Sequence, residues 1–241
     1  MLLSKIVKQP PRLILFDLDH TLLAADTNSL WLSFLADQGY LDKERINREQ
    51  QRWYADYVNG CLDFAAYMRF QLQPLSGIPQ SALMTLREVF SEKKLAPHIA
   101  PGATDLVRAH HDQGHICAVV TATHHFLAEP VAKLVNIKHL IATEAQLVNG
   151  FFTGHPGSTL CFGEGKITAV EKWLERAGVE RDLLNGATFY SDSCNDLPLL
   201  ERVTDPVAVD PDEQLKAIAT QRGWPIISLR QRTETIFNLA L

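Results

Sequence analysis

The chain has 241 residues, of which 46% are hydrophobic and 21% charged, and its formal net charge is -5. That length supports one sizeable core, or a core with a smaller insertion, and the composition is that of a globular enzyme. The acidic balance and the lack of a dense Lys/Arg run argue against a nucleic-acid binder, and no apolar stretch approaches a membrane span.

Residues 1–11 contain Leu2, Leu3, Ile6 and Val7 but no continuous apolar run, too broken for a signal peptide, so a cytoplasmic protein is expected. The first predicted strand runs from Arg12 through Leu-Ile-Leu-Phe to Asp17, an apolar run that ends in a carboxylate. Residues 26–95 carry no convincing strand. Helices are expected there at 28–37 before Gly39, 42–58 before Asn59-Gly60, 62–72 and 79–94. The second of these is heavily charged and carries Trp53, Tyr54 and Tyr57, which predicts one solvated and one packed face. A helix at 101–113 precedes Gly114, and a second strand at 116–121 ends in Thr121. The stretch 140–154 has Asn149-Gly150 between Ala-Gln-Leu-Val and Phe-Phe-Thr, the strongest short hairpin signal, because a tight primed turn needs positive φ at both positions. A helix at 166–177 follows, with Ile167, Val170 and Leu174 at helical spacing and Gly178 behind it. Further short apolar strands are expected at 187–192, 206–210 and 225–229. Strands alternating with helices predict an α/β fold with a doubly wound parallel sheet, here with a core at 12–25 and 96–230 and a helical insertion at 26–95. The remainder, 1–11 and 231–241, forms terminal extensions.

The four cysteines, Cys61, Cys117, Cys161 and Cys194, show no Cys-x-x-Cys spacing and are expected to be reduced structural thiols. The tandems His110-His111 and His124-His125 do not suggest a metal pair, since adjacent residues diverge on a helix.

Four segments carry candidate chemistry. Asp17-Leu-Asp19-His-Thr21 closes the first strand, and in an open α/β sheet ligands bind at the carboxyl ends of strands. Two carboxylates so placed can divide the work, one attacking while the other, protonated, serves as general acid. Thr121-Ala122-Thr123 ends the second strand, where a hydroxyl and successive N–H groups before a helix make a phosphate seat. Lys166 opens its helix within Gly163-Glu-Gly-Lys-Ile. Finally, Tyr190-Ser-Asp192-Ser-Cys-Asn195-Asp196 again clusters carboxylates at a strand end. Asp17, the main-chain carbonyl of Asp19 and Asp192 would supply part of an oxygen shell for Mg²⁺, which keeps several waters. Asp196 would hold that shell from outside, and Asn195 would orient substrate or Lys166. Each segment alone has a bland explanation in turns, caps or surface charge.

Together, and in this order, they resemble the haloacid dehalogenase-like superfamily. Asp17, Asp19 and Thr21 match its Asp-x-Asp-x-Thr motif, Thr121 its Ser/Thr-ending strand, Lys166 its lysine, and Asp192 and Asp196 its acidic cluster. The insertion after the first motif is similar to the cap of the phosphoserine-phosphatase-like branch. The resemblance implies a Rossmann-like core and a Mg²⁺-dependent phosphomonoester hydrolase. In it Asp17 forms an aspartyl-phosphate, Asp19 protonates the leaving alcohol and then activates water, and Thr121 and Lys166 bind phosphoryl oxygens.

Within that family, phosphoserine phosphatases carry a Glu nine residues after the nucleophile, where this chain has Asp26, and a cap arginine for which Arg69 is the one candidate. The segments around Asp17, Thr121, Ser191 and Asn195 look more like a bacterial group that includes histidinol-phosphate phosphatases. Histidinol phosphate has an amine and no carboxylate, which suits Asp26 without an arginine. The expected partner is thus a small phosphorylated metabolite, with phosphoserine or another small ester as the alternative. A receiver-type phosphoacceptor module, a phosphomutase and a non-catalytic relative are the rival readings. The helical insertion and Asp19 oppose the first, and the filled catalytic positions oppose the last.

Overall fold

A computed structural model describes residues 11–231. The predicted terminal extensions lie almost entirely outside them. In chain order, β1 (Leu13–Phe16) is followed by α1 (Thr27–Asp37), α2 (Lys43–Val58), α3 (Phe64–Ser76) and α4 (Gln80–Phe90), then a π-helical turn, Ser91–Leu95. Next come α5 (Ala103–Asp112), β2 (Ile116–His124), α6 (His125–Leu134), β3 (His139–Thr143), β4 (Ala145–Val148) and β5 (Phe151–Pro156). The chain then runs through α7 (Glu164–Arg176), β6 (Thr188–Ser191), α8 (Leu197–Arg202), β7 (Asp205–Val209), α9 (Glu213–Arg222) and β8 (Ile226–Ile227).

Six strands form one parallel sheet in the order β3-β2-β1-β6-β7-β8. The sequence grows outward from β1 in both directions, so the strand order switches beside β1, where such sheets open a crevice at their carboxyl ends. Phe16 pairs with Val119 on one side and Tyr190 on the other, which fixes the register of the three strands that carry the site. Side chains alternate across the sheet. Ile14, Phe16, Cys117 and Val119 join α5, α6 and the helices of 27–95 in one buried cluster. Leu13, Leu15, Ala118 and Val120 join α7, α8 and α9 in another. Because the first cluster is continuous from Phe16 to Trp31 and Phe90, the four inserted helices share a core with the sheet. Trp31 packs edge-on against Phe90 at 5.0 Å and Phe126 at 6.0 Å, tying α1 to α4 and α6. Each such aromatic burial contributes on the order of 2–3 kcal/mol.

Several expected elements are redrawn by the structure. The segment from Leu140 to Thr143 is not part of the hairpin but the edge strand of the main sheet, with Ile141, Ala142 and Thr143 buried. The hairpin is β4–β5, with Asn149 and Gly150 both at positive φ, 52° and 81°. It lies against α3 closely enough that a Cβ on Gly154 would come within 3.2 Å of the Gln73 backbone. The third inserted helix extends past Leu72 through Pro74 to Ser76, and the fourth yields to the π turn at Ser91. On α2, Trp53 and Tyr57 are half-buried as the packed face requires, whereas Tyr54 is exposed. The His124-His125 pair straddles the junction of β2 and α6 and is not on a helix together. All four cysteines are free.

His110 on α5 is buried beneath the sheet, hydrogen-bonded through Nε2 to the Tyr190 hydroxyl at 2.9 Å, with Nδ1 unpaired. Burial, reinforced by the neighbouring His115 and Arg12, lowers its pKa from 6.5 to about 4. The unfolded chain therefore takes up a proton below pH 6.5 that the folded chain refuses until about 4. Stability from this group is complete above the first value and lost as pH falls toward the second. Relative to a His110→Gln variant, the wild type is expected to lose its advantage across that window, by up to ~1.4 kcal/mol per pH unit. Urea titrations of both proteins at several pH values measure it, and a pH-independent gap would mean that the fold takes up the His110 proton as readily as the unfolded chain does.

Candidate active site

Asp17 is the first residue beyond β1, its N–H donating to the Tyr190 carbonyl at 2.8 Å, and Asp192 is the first beyond β6. Neighbouring parallel strands thus bring the two carboxylates to one end of the sheet. Lys166 in the first turn of α7 completes the centre: Nζ donates to Asp17 Oδ1 at 2.6 Å and to Asp196 Oδ2 at 2.7 Å. The lysine is 2% exposed. Burial alone would lower its pKa, but the carboxylates of Asp17 and Asp196 overrule that and hold it above the usual lysine value. Its helix can start here because residue 165 is glycine: any Cβ would overlap the Leu160 carbonyl. Ser191 Oγ donates to the same Asp196 oxygen at 2.7 Å, and Thr21 Oγ1 donates to Asp192 Oδ1 at 3.0 Å.

Asp19, two residues beyond Asp17, is held by residues of α1 and β2. Its Oδ1 accepts from the Thr27 N–H at 2.7 Å and from the Thr27 hydroxyl, and its Oδ2 accepts from Thr123 Oγ1 at 2.5 Å. Burial and then the nearby Asp26 charge raise its pKa to about 7, against those hydrogen bonds. Burial is also the main cause for Asp17, raised to about 6 with the Lys166 charge opposing, and for Asp192, raised well above its usual range with Asp17 and Asp196 contributing. Lys166 pairs with Asp17 and Asp196, and Asp192 adds a third buried carboxylate beside them, a charge imbalance that a divalent cation would relieve. Among the described residues no group of three or more His, Cys, Asp or Glu side chains forms a ready metal site. Two carboxylates and a main-chain carbonyl, all oxygen donors, do fit Mg²⁺, which takes few protein ligands and keeps its waters. Neither thiolate nor imidazole stands in this set, so zinc is a poor match.

The inserted helices close over the crevice. The Tyr57 hydroxyl on α2 shares a 2.6 Å hydrogen bond with Ser193 Oγ, and Phe64 on α3 stacks on Phe162 at 4.6 Å. Water is thereby limited at the carboxylates, which strengthens every electrostatic contact among them.

The structure brings Asp17, Asp19, Thr121, Lys166, Asp192 and Asp196 to the ends of β1, β2 and β6 or to the elements directly behind them. Thr121 is buried in β2, whose strand continues three residues beyond the expected end, and accepts from the Thr123 N–H at 3.1 Å; Ala122 is half-buried beside it. Two expectations change. Lys166 is held by Asp17 and Asp196 and not by Asn195, whose amide turns away to Ser193 Oγ at 3.4 Å and toward Tyr57. Asp26 is the N-cap of α1, its Oδ1 accepting from the Ser29 N–H at 2.6 Å, so the capping role competes with substrate contact. Arg69 is exposed on α3. Thr27, Thr123, Tyr57 and Ser193 were not singled out from the sequence as site residues. Thr123 alone had a local signal, the repeated Thr around Ala122.

The sequence matches the family model for haloacid dehalogenase-like hydrolases over residues 14–201. It is 36% identical to a histidinol-phosphatase of Neisseria meningitidis over 90% of this chain and 99% of that protein. A solved structure of a Bordetella pertussis protein of unknown function superimposes with a TM-score of 0.85 and 38% identity, covering 92% of this chain and all of that one. A phospho-aspartyl intermediate analogue of phosphoserine phosphatase superimposes with a TM-score of 0.69 at 17% identity, over 96% of this chain and 99% of that one, a likeness of fold.

Proposed function

The chain belongs to the haloacid dehalogenase-like hydrolase family, as a phosphomonoester hydrolase with the phosphoserine-phosphatase-like fold, and we propose that it works through a phosphoryl group carried on Asp17. The observation that supports this reading best is Lys166 bridging Asp17 and Asp196 while Asp19 stands at the same strand end with its pKa raised to about 7. In the first step an Asp17 oxygen attacks phosphorus as the ester P–O bond breaks, and protonated Asp19 gives its proton to the leaving alcohol. A water then attacks the aspartyl-phosphate, ionised Asp19 takes its proton, and phosphate departs with Asp17 restored. A group that must act as acid and then as base is best poised near neutral pH. Lys166, held charged by its carboxylates, offsets charge on the phosphoryl oxygens, and Thr121 with the adjoining N–H groups seats them. Mg²⁺, held by Asp17, Asp192 and the Asp19 carbonyl, would supply further charge neutralisation when bound.

The natural substrate in this reading is a small amino-alcohol phosphate such as histidinol phosphate. Similarity to the Neisseria protein supports it, as does an acidic residue, Asp26, close to Asp19 and His20. Phosphoserine is the alternative, disfavoured because Arg69 is exposed on α3. Asp26→Ala separates the two roles of that residue. Loss of the cap is expected to cost ~1 kcal/mol of stability whatever the substrate. Loss of an ammonium partner is expected to cost on the order of 2–5 kcal/mol in kcat/KM for histidinol phosphate and far less for p-nitrophenyl phosphate. Kinetics on both esters with Mg²⁺, alongside a thermal melt, read both effects; equal kinetic losses would leave Asp26 a cap alone.

A further inference from the structure

The wall of the crevice beside Asp19 is built by side chains that the catalytic steps do not use. Tyr67 and Gln71 lie one turn apart on α3 and so share a face, while Arg69 between them is exposed. Gln71 is 1% exposed and Asn28, near the start of α1, 3%. Each keeps a buried amide oxygen with no hydrogen-bond partner, Gln71 Oε1 and Asn28 Oδ1. The orientation of Asn28 follows from its neighbours. Thr123 gives its single hydroxyl proton to Asp19 Oδ2 at 2.5 Å and can then only accept, which it does from Asn28 Nδ2 at 3.0 Å. That turns Asn28 Oδ1 away from Thr123. The Tyr67 oxygen accepts from the amide N–H groups of Asn28 and Gln71, which leaves their oxygens turned elsewhere, and burial with the nearby charges of Asp26 and Asp19 pushes its pKa up against those bonds. Buried acceptors without partners are costly to keep, and a fold that holds two of them beside one hydroxyl has them ready for donors from outside.

We propose that Asn28, Tyr67 and Gln71 form the recognition site for the leaving alcohol, and that the two amide oxygens accept from N–H groups of a cationic or imidazole-bearing alcohol. This rests on the phosphatase reading, which places the leaving oxygen at Asp19 and so directs the alcohol along this wall. A carboxylate-bearing alcohol would instead meet acceptors and the Asp26 charge, with no cation from α3 to pair it. The site thus selects by what it lacks as well as by what it offers.

The test is kcat/KM for histidinol phosphate and for p-nitrophenyl phosphate, with Mg²⁺, in the wild type and three variants. Gln71→Met keeps the volume and removes the acceptor; the ratio of the two values is expected to fall at least about tenfold, chiefly through KM. Gln71→Glu keeps an acceptor and is expected to preserve the preference. Tyr67→Phe removes only a hydroxyl and is expected to lower the ratio roughly threefold or more, so the test survives a Gln71 variant that does not fold. The melting temperature of Gln71→Met should change little, because removing an unpaired buried acceptor offsets the lost hydrogen bond with Tyr67. A ratio unchanged from wild type in both Gln71→Met and Tyr67→Phe, or a wild type with no preference for the nitrogen-bearing ester, would overturn the proposal while leaving the phosphatase reading intact. A wild type that hydrolyses neither ester would instead overturn that reading.

Discussion

Asp17→Asn is expected to abolish turnover, with kcat at least about a thousandfold down, or ~4 kcal/mol of lost transition-state stabilisation. The substitution is nearly isosteric, and the amide oxygen can still accept from Lys166 in place of Oδ1, which now takes that bond at 2.6 Å. What disappears is the nucleophile. Folding should not suffer. Burial raises the pKa of Asp17 from 3.8 to about 6, so ionising it costs the metal-free fold stability relative to the unfolded chain. A raised carboxylate pKa destabilises the fold as pH climbs through that interval, and the neutral amide escapes the penalty. The metal-free variant should therefore melt no lower than the metal-free wild type at pH 7. Activity above about a tenth of wild type, a loss under ~1.4 kcal/mol, would contradict a covalent role for Asp17.

Lys166→Met should injure both activity and fold. Among the described residues the ammonium is the single cation shared by Asp17 and Asp196, and all three side chains are buried. Removing that cation leaves buried carboxylates uncompensated, at a cost of roughly 3–5 kcal/mol. The methionine keeps an unbranched apolar chain of similar length, so packing losses are kept small, although the ammonium's place over the Phe189 ring, 5.6 Å from its centroid, is lost. Loss of a preorganised donor to the phosphoryl oxygens is expected to lower kcat by about a hundredfold or more. Mg²⁺ should restore part of the lost stability in this variant, because the cation offsets the same carboxylates. A change confined to KM would reduce Lys166 to an attractor of anions.

The centre of the sheet was legible because its code is local. Apolar runs that end in a carboxylate or hydroxyl predict buried parallel strands with the polar residue at the crevice; Asp17 and Asp192 stand directly beyond β1 and β6, while β2 runs three residues past Thr121. Lys166 was marked by its place in a family pattern and not by its own surroundings in sequence, where a lysine opening an amphipathic helix reads as a surface residue. Other features depend on packing between distant segments. Thr27 and Thr123 meet at Asp19 from α1 and β2, and Tyr57 meets Ser193 across the closed mouth. Nothing in a helical periodicity singles out Gln71, which reads as an ordinary polar position until α3 is seen to bury it. The edge strand β3 escaped notice because its short apolar run abuts the stronger Asn-Gly hairpin signal. Asp26 shows the opposite hazard, since a cap and a ligand contact ask for the same residue type at the same place.

The covalent route through Asp17 is tested most directly by the stereochemical course at phosphorus. Each in-line displacement inverts the phosphoryl group, so two of them, onto Asp17 and then onto water, restore its original configuration. The experiment hydrolyses a phosphomonoester made chiral at phosphorus with oxygen isotopes, in water of a distinct isotope, and does not require the intermediate to accumulate. Net retention is the predicted result. Net inversion would mean that water attacks the substrate directly, and the account of Asp17 as nucleophile would be wrong.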